Sequence, residues 1–241
     1  VRVLTITLAR DEATLIPYFV RHYIRYGDVT VFDDLSEDDT AALARAAGAR
    51  VAPTPGQGGD DNEWRIMGVK NHNWKDVRDA YDWVIAVDAD EFLYHADLPG
   101  VLEDCKGRGA TVLEPVGYQM IAAAPPSRGG LITDEIRRGR PCPLYSKWCC
   151  FDPRQVDEIN FGIGAHHANP QGRRVDVLAY PGLKLLHYHF LGPDYVTARY
   201  ANRVRWQANT AVPPGWRDYK ESRQIVQGAI DDLDAHATEV I

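Results

Sequence analysis

Hydrophobic positions in the N-terminal half fall into short unbroken runs separated by stretches of helical period. Val1-Arg2-Val3-Leu4-Thr5-Ile6-Thr7-Leu8 is a β-branched run that predicts a buried strand. From Ala13 to Tyr26, the residues Leu15, Ile16, Phe19, Val20, Tyr23 and Ile24 recur at helical spacing, and Gly27 is expected to close that helix. Val29 to Phe32 predicts a second strand, which runs into the polar cluster Asp33-Asp34-Leu35-Ser36-Glu37-Asp38-Asp39. An alanine-rich helix over 40–47 stops at Gly48, a third strand follows at 50–52, and 53–62, with its Gly, Pro and Asp, reads as a loop. Residues 63–80 are expected to be helical, and Trp83-Val84-Ile85-Ala86-Val87 is the strongest buried-strand signal in the chain.

This βαβαβ order of apolar strands predicts an α/β fold, with a mostly parallel central sheet covered by helices on both faces. Ligands of such sheets bind at the carboxyl ends of the strands. Asp33-Asp34 and Asp88-Asp90 both fall at such ends, which turns an expected fold into an expected site. Beyond Gly109 the pattern loosens. Strands are expected at 111–113, 118–121, 144–151 and 183–190, helices at 194–208 and 218–235, and an irregular Gly-, Pro- and Arg-rich insertion at 122–143. The second half is expected to complete the same domain, so that 1–109 and 110–241 form the two sides of one cleft.

With 241 residues, 45% hydrophobic and 25% charged, the chain can bury one substantial core. A net charge of -7 argues against a nucleic-acid partner. Two local basic spots, Arg137-Arg138 with Arg140 and Arg173-Arg174, suit either a diphosphate or anionic acceptor or, more simply, solvated loops. The four cysteines, Cys105, Cys142, Cys149 and Cys150, match no zinc spacing and point to a reduced, cytoplasmic setting. No apolar run approaches the roughly 20 residues of a membrane span and no signal peptide is expected, so any membrane association would be peripheral.

The chemistry is concentrated in Val87-Asp88-Ala89-Asp90-Glu91-Phe92. Two carboxylates one residue apart at the end of a buried strand repel each other unless a cation or hydrogen bonds compensate. Hard divalent cations, Mn2+ or Mg2+, take oxygen ligands and bridge phosphates, so a metal site explains the pair. The bland alternative is a strand running into an acidic, solvated turn.

Asp88-Ala89-Asp90, after an apolar strand and before Glu91-Phe92-Leu93, resembles the DXD motif of GT-A-fold glycosyltransferases, in the DxDEF form of family-2-like and family-92-like enzymes. Ala9-Arg10-Asp11-Glu12 is similar to their (R/K)NE segment, with Asp11 in place of Asn. Val31 to Thr40 resembles their YDNxSxDGT segment, with Asp34 where Asn is usual and Asp39 where Gly is usual. Lys70-Asn71 is similar to their Arg-Asn pair, at slightly longer spacing. Leu186-His187-Tyr188-His189 and the following helix with Tyr195, Arg199 and Arg203 resemble their HY segment, with Gly192 in the place of Ser and Arg199 in that of Lys. DXD alone is a frequent tripeptide; the ordered set, spread over 1–206, is far more specific.

The resemblance implies a metal-dependent transfer of a hexosyl group from a nucleotide sugar, UDP- or GDP-linked, to a carbohydrate or other hydroxyl acceptor, with inversion. Residues 1–109 would be the nucleotide-sugar half and 110–241 the acceptor side. It places Asp33 on the nucleoside and Asp88 on the ribose or the metal. Asp90 becomes a direct ligand and His187 the late ligand, with His189, on the same strand face, as its rival. Arg10, Glu12, Lys70, Asn71 and Lys147 join Asp33 and Asp88 as donor-binding candidates, their cations opposing charge on the departing diphosphate. A base is needed for the acceptor proton; Asp157 and Glu158 are the candidates, with Asp134 and Glu135 behind them. His166, in Gly162-Ile163-Gly164-Ala165-His166-His167, is a candidate acceptor contact, since adjacent strand residues cannot chelate one ion together. Trp64, Trp74, Trp148 and Trp206 suit sugar stacking or, more simply, core packing.

Three rivals remain. A haloacid-dehalogenase-type phosphatase also carries DxD after a strand, but expects Thr or Val where Phe92 stands. A nucleotidyltransferase expects a Gly-rich loop where residues 9–12 contain none. A catalytically silent nucleotide- or carbohydrate-binding protein of the same fold is compatible with the departures at Asp11, Asp34 and Asp39.

Overall fold

Alternate residues of the central strands sort onto opposite faces of one sheet, and that sorting builds the core. In the computed structural model, which describes residues 1–56, 63–207 and 223–241 (63–66 and 203–207 as backbone only), the first strands are β1 (Val3–Ala9), β2 (Gly27–Asp33), β3 (Arg50–Pro53) and β4 (Trp83–Ala86). They lie side by side in the order β3-β2-β1-β4, all parallel. Val3, Val29, Val31, Trp83, Ile85 and Val87 point into one apolar cluster; Leu4, Ile6, Phe32, Val84 and Ala86 point into another. The first cluster is covered by α1 (Ile16–Tyr23), α2 (Thr40–Ala46) and the later α4 (Leu98–Gly107), and the second by α3 (Glu63–His72) with Trp74. A parallel strand buried on both faces reads as a near-continuous apolar run, as the sequence of β4 does.

The second half extends the same sheet. Strand β5 (Glu91–Tyr94) leaves β4 through the turn 87–90, and β6 (Val112–Ala122) follows α4. A short helix α5 (Ile132–Glu135) and strands β7 (Arg138–Pro141) and β8 (Cys150–Phe151) come next, with β9 (Val156–Glu158) and β10 (Gln171–Gly172) as a separate antiparallel pair. Strand β11 (Val177–Leu191) lies parallel to β6 and antiparallel to β5. Helices α6 (Pro193–Gln207) and α7 (Arg223–Ala235) and strand β12 (Thr238–Glu239) end the chain. The sheet thus runs β12-β7-β6-β8-β4-β1-β2-β3, with antiparallel pairing entering at β8.

Several local expectations change. The first helix ends at Tyr23, and Gly27 opens β2 instead of closing the helix. A Cβ at Gly27 would lie 2.1 Å from the Val3 carbonyl oxygen, so only glycine fits there. The helix expected over 63–80 divides into α3 and a 3-10 turn at Lys75–Ala80, because the buried Trp74 indole turns back to donate to the Lys70 carbonyl (3.0 Å) and packs on Phe151. The strand expected at 144–151 is a 3-10 turn, Pro143–Tyr145, and the two-residue β8. The insertion 122–143 contains α5 and β7. The arginines in and just before β7 are not a free basic patch: Arg137 pairs with Glu239 (2.7 Å), Arg138 with Asp234 (2.6 Å) and Arg140 with Asp232 (3.2 Å). No described helix is long and apolar enough to cross a membrane.

Candidate functional site

Parallel pairing fixes the edge at which chemistry gathers. Ala9 is in register with Asp33, and Asp33 with Pro53, so the loops after β1, β2 and β4 leave from one side of the sheet. The β1 and β2 loops are stitched together. The Asp11 amide donates to Ser36 Oγ (3.1 Å), Asp11 Oδ1 accepts from the Glu37 amide (2.6 Å), and the Glu12 amide donates to Thr40 Oγ1 (2.7 Å). Asp11 sits at φ 50°, a conformation that Asn and Asp tolerate best, and Asp presents the same acceptor oxygen that Asn would. Arg10 Nη1 lies 3.9 Å from Asp34 Oδ2, and Asp34 is buried beneath it.

Residues 88–91 form a tight turn closed by the Glu91 amide donating to the Asp88 carbonyl (3.0 Å). The turn points its carboxylates in different directions. Asp88, whose side chain is 40% exposed, meets Lys70 Nζ at 2.6 Å and Lys147 Nζ at 3.4 Å. Glu91, only 1% exposed, holds Lys147 Nζ at 2.5 Å, and Lys147 also donates to the Gly164 carbonyl (3.0 Å). Burial alone would push the Asp88 carboxyl up; Lys70 and then Lys147 pull it well below the usual carboxylate range. For Lys147, burial works against the charge, but Glu91 and Asp88 overcome it and raise the pKa. The ammonium therefore stays charged in a buried position.

Asp90 faces the other way, towards β11. The register His187↔Glu91 brings β11 alongside, and the Tyr188 amide donates to the Asp90 carbonyl (2.8 Å). His187 Nε2 then lies 3.5 Å and His189 Nδ1 4.0 Å from Asp90 Oδ2, while Arg199 Nη1 from α6 lies 2.8 Å away. Arg199 also pairs with Glu12 through Nη2. Burial opposes ionisation of Asp90, but Arg199, followed by His187 and His189, holds its pKa well below the ordinary value. The carboxylate stays ionised although it is 6% exposed.

The orientation of His187 follows from a residue that motif reading missed. Gln119 Nε2 donates to the His187 and Met120 carbonyls (2.9 and 3.2 Å), which fixes its amide, so its Oε1 accepts from His187 Nδ1 (2.8 Å). In the neutral imidazole this leaves the Nε2 lone pair facing Asp90. Tyr145 stacks on the ring (3.9 Å between centroids), and the His189 ring lies nearly parallel to it at 5.6 Å. Among the described residues, Asp90, His187 and His189 form a group able to hold a metal ion, with donor atoms within 4.8 Å of one another.

The other expected residues have different surroundings. Asn71 clamps a loop: its Nδ2 donates to the Phe161 carbonyl (3.2 Å) and its Oδ1 accepts from the Phe161 amide (2.8 Å). Asp157 pairs with Arg78 (2.9 Å) and Glu158 with Lys75, so the structure ties both acids to the Lys75–Ala80 turn and not to the cluster around Asp90. Glu135 caps the backbone amides of Ser127 and Arg128 (2.8 and 3.0 Å). His166 Nδ1 bonds to the Leu144 carbonyl (2.9 Å) and its ring sits edge-on to Tyr145, at the margin of the site. Trp74 is core, and Trp148 donates to Glu114 (3.2 Å). The side chains of Trp64, Trp206 and Arg203 lie outside the described residues. The contributions of Glu91, Gln119 and Tyr145 could not be read from spacing; Arg199 was visible only as the cation on a helix after the histidine strand.

No protein-family profile matches the chain, and no curated protein matches it. Among solved structures it is similar to a mycobacterial protein, at 22% identity over 49% of this chain and 41% of that one, with a TM-score of 0.36. It is similar to glucosyl-3-phosphoglycerate synthase from Mycobacterium tuberculosis in complex with Mn2+, UDP and glucosyl-3-phosphoglycerate, at 20% identity over 49% and 44% of the two chains, TM-score 0.35. These two likenesses span less than half the length of either mycobacterial chain. Residues 1–349 of S. aureus TarS are similar at 12% identity over 90% of this chain and 68% of that one, TM-score 0.47.

Proposed function

We infer that the chain is a metal-dependent glycosyltransferase of the GT-A type, moving a sugar from a nucleotide-sugar donor to an acceptor hydroxyl. The observation that carries this reading is the convergence of His187 Nε2 and His189 Nδ1 on Asp90 Oδ2, at the carboxyl edge of the parallel strands. Asp90 Oδ2, His187 Nε2 and His189 Nδ1 are donor atoms on three side chains close enough together to share one cation. One carboxylate and two imidazoles suit Mn2+ better than Mg2+, which favours an all-oxygen shell. A divalent ion held there would supply Lewis-acid stabilisation of a departing diphosphate.

The protein's own residues then divide the remaining work. Asp88, exposed and ionised, is oriented by Lys70 and Lys147 towards the donor's ribose. Asp33 and Arg10 face the nucleoside from the neighbouring loops. Glu12 serves through Arg199, and Asn71 by holding Phe161 in place. Lys147, kept charged in a buried position, opposes the negative charge that develops when the sugar-phosphate bond breaks. His166 lies on the acceptor side, contributed by 110–241. We place the general base outside Asp157 and Glu158, whose carboxylates already serve Arg78 and Lys75. UDP- or GDP-linked hexoses and an inverting course are the expected chemistry.

A second reading, binding without turnover, is favoured by one observation: Arg199 already supplies Asp90 with a cation at 2.8 Å. A hydrolysis screen of UDP- and GDP-sugars with Mn2+, paired with Asp90→Ala, separates the two. Turnover that Asp90→Ala abolishes supports the enzyme. Nucleotide-dependent thermal stabilisation without turnover supports the binding protein, and full activity in Asp90→Ala removes the metal role.

A further inference from the structure

Four carboxylates and three cations gather around the turn in two groups: Lys70 and Lys147 hold Asp88 and Glu91, and Arg199 holds Asp90 and Glu12. Two of the three cations are committed away from Asp90: Lys70 to Asp88, and Lys147 to Asp88 and Glu91. Arg199 bridges the proposed metal ligand and another element, with Nη1 on Asp90 Oδ2 and Nη2 on Glu12 of the β1–α1 loop. The oxygen that Arg199 grips is the same Oδ2 on which both imidazoles converge. Each of these two contacts is a charge-assisted hydrogen bond from one guanidinium nitrogen, the stronger kind of hydrogen bond.

We propose that Arg199 is a resident counter-ion that competes with the divalent cation for Asp90 Oδ2. In its metal-free state the site is held together by α6 through Arg199, and an arriving ion must displace Nη1 while Nη2 keeps its hold on Glu12. Intrinsic metal affinity is thereby kept low, and α6 becomes the element that senses loading. This rests on the metal reading of Asp90 given above, and it concerns a residue outside the donor set of one carboxylate and two imidazoles. Loss of a charge-assisted hydrogen bond in a partly buried site changes an equilibrium by about ten- to a hundred-fold, which sets the expected size of the competition.

The test is Mn2+ binding without nucleotide, read by electron paramagnetic resonance of the free ion. The wild type is compared with Arg199→Met, the double variant Glu12→Gln/Arg199→Met and Asp90→Asn. Arg199→Met leaves Glu12 and Asp90 without this cation; the double variant neutralises Glu12, the one of the two that is not a proposed ligand, and so guards against failure to fold. The expected result is Mn2+ affinity at least about tenfold above wild type in whichever Arg199 variant folds, and loss of binding in Asp90→Asn. If Asp90→Asn loses binding while the folded Arg199 variants bind no more tightly than wild type, the competition is overturned and the metal reading stands. If Asp90→Asn binds as wild type does, the metal reading itself fails, and the competition with it.

Discussion

His22 lies on α1 with no exposed surface, its ring packed edge-on against Tyr23, Tyr26 and Phe92, and its Nε2 bonded to the Leu93 carbonyl at 2.9 Å. With Tyr23, whose hydroxyl donates to the Glu91 carbonyl (3.0 Å) and accepts from the Leu93 amide (2.7 Å), it ties β5 to α1. That clamp sets the far side of the turn bearing Asp88 and Asp90. Burial lowers the His22 pKa from 6.5 to about 4, against a smaller opposing pull from the Leu93 carbonyl. Between these values the unfolded chain takes up a proton that the folded chain refuses. Stability from this group is therefore whole above about pH 6.5 and is lost as pH falls towards 4. At pH 5 this group alone shifts the folding equilibrium towards the unfolded state by a factor of about 30, a loss of about 2 kcal/mol of stability. The window from pH 7 to 5 avoids the carboxylates, whose ordinary values lie lower. His22→Gln keeps a donor for Leu93 and cannot titrate there. Urea midpoints at pH 7 and 5 should show the wild type losing about 2 kcal/mol more than the variant over this interval. Equal losses in the two proteins would refute a buried, neutral His22.

Other consequences are as direct. Lys147→Met leaves Glu91 buried without its cation and should cost about 3–5 kcal/mol in urea unfolding, most of which Glu91→Gln in the same chain should restore. Gln119→Leu frees the His187 ring and should weaken Mn2+ binding by about ten- to a hundred-fold in calorimetric titration, with far-ultraviolet dichroism unchanged. Gly27→Ala drives a methyl into the Val3 carbonyl and should lower stability by about 1–3 kcal/mol, measured as a shift in denaturant midpoint.

Strands β1, β2 and β4 were legible because a parallel strand buried on both faces reads as a near-continuous apolar or β-branched run, Thr5, Thr7 and Thr30 included, and the acids after β2 and β4 therefore marked one edge of the sheet. The meeting of Asp90 with the histidines needed more. It depends on β5 turning back and pairing antiparallel with β11 in the register His187↔Glu91, a contact between segments nearly a hundred residues apart. Local periodicity carries no information about such a register. The same limit hid Gln119, delivered by the parallel pairing of β6 with β11, and the link from Glu12, itself a named candidate, through Arg199 to Asp90. Asp157 and Glu158 drew notice as paired acids, yet adjacent acids are common on surfaces, and their cations Arg78 and Lys75 come from a 3-10 turn that the sequence showed only as continued helix. Trp74 broke that helix by tertiary packing, with neither Gly nor Pro to announce it.

The central claim is a divalent cation at Asp90, and anomalous diffraction from a crystal soaked in Mn2+ and UDP addresses it most directly. The account predicts a manganese peak bounded by Asp90 Oδ2, His187 Nε2 and His189 Nδ1, with Arg199 Nη1 moved off the carboxylate. A peak elsewhere, or a fully retained Arg199–Asp90 pair with no manganese beside it, would contradict it.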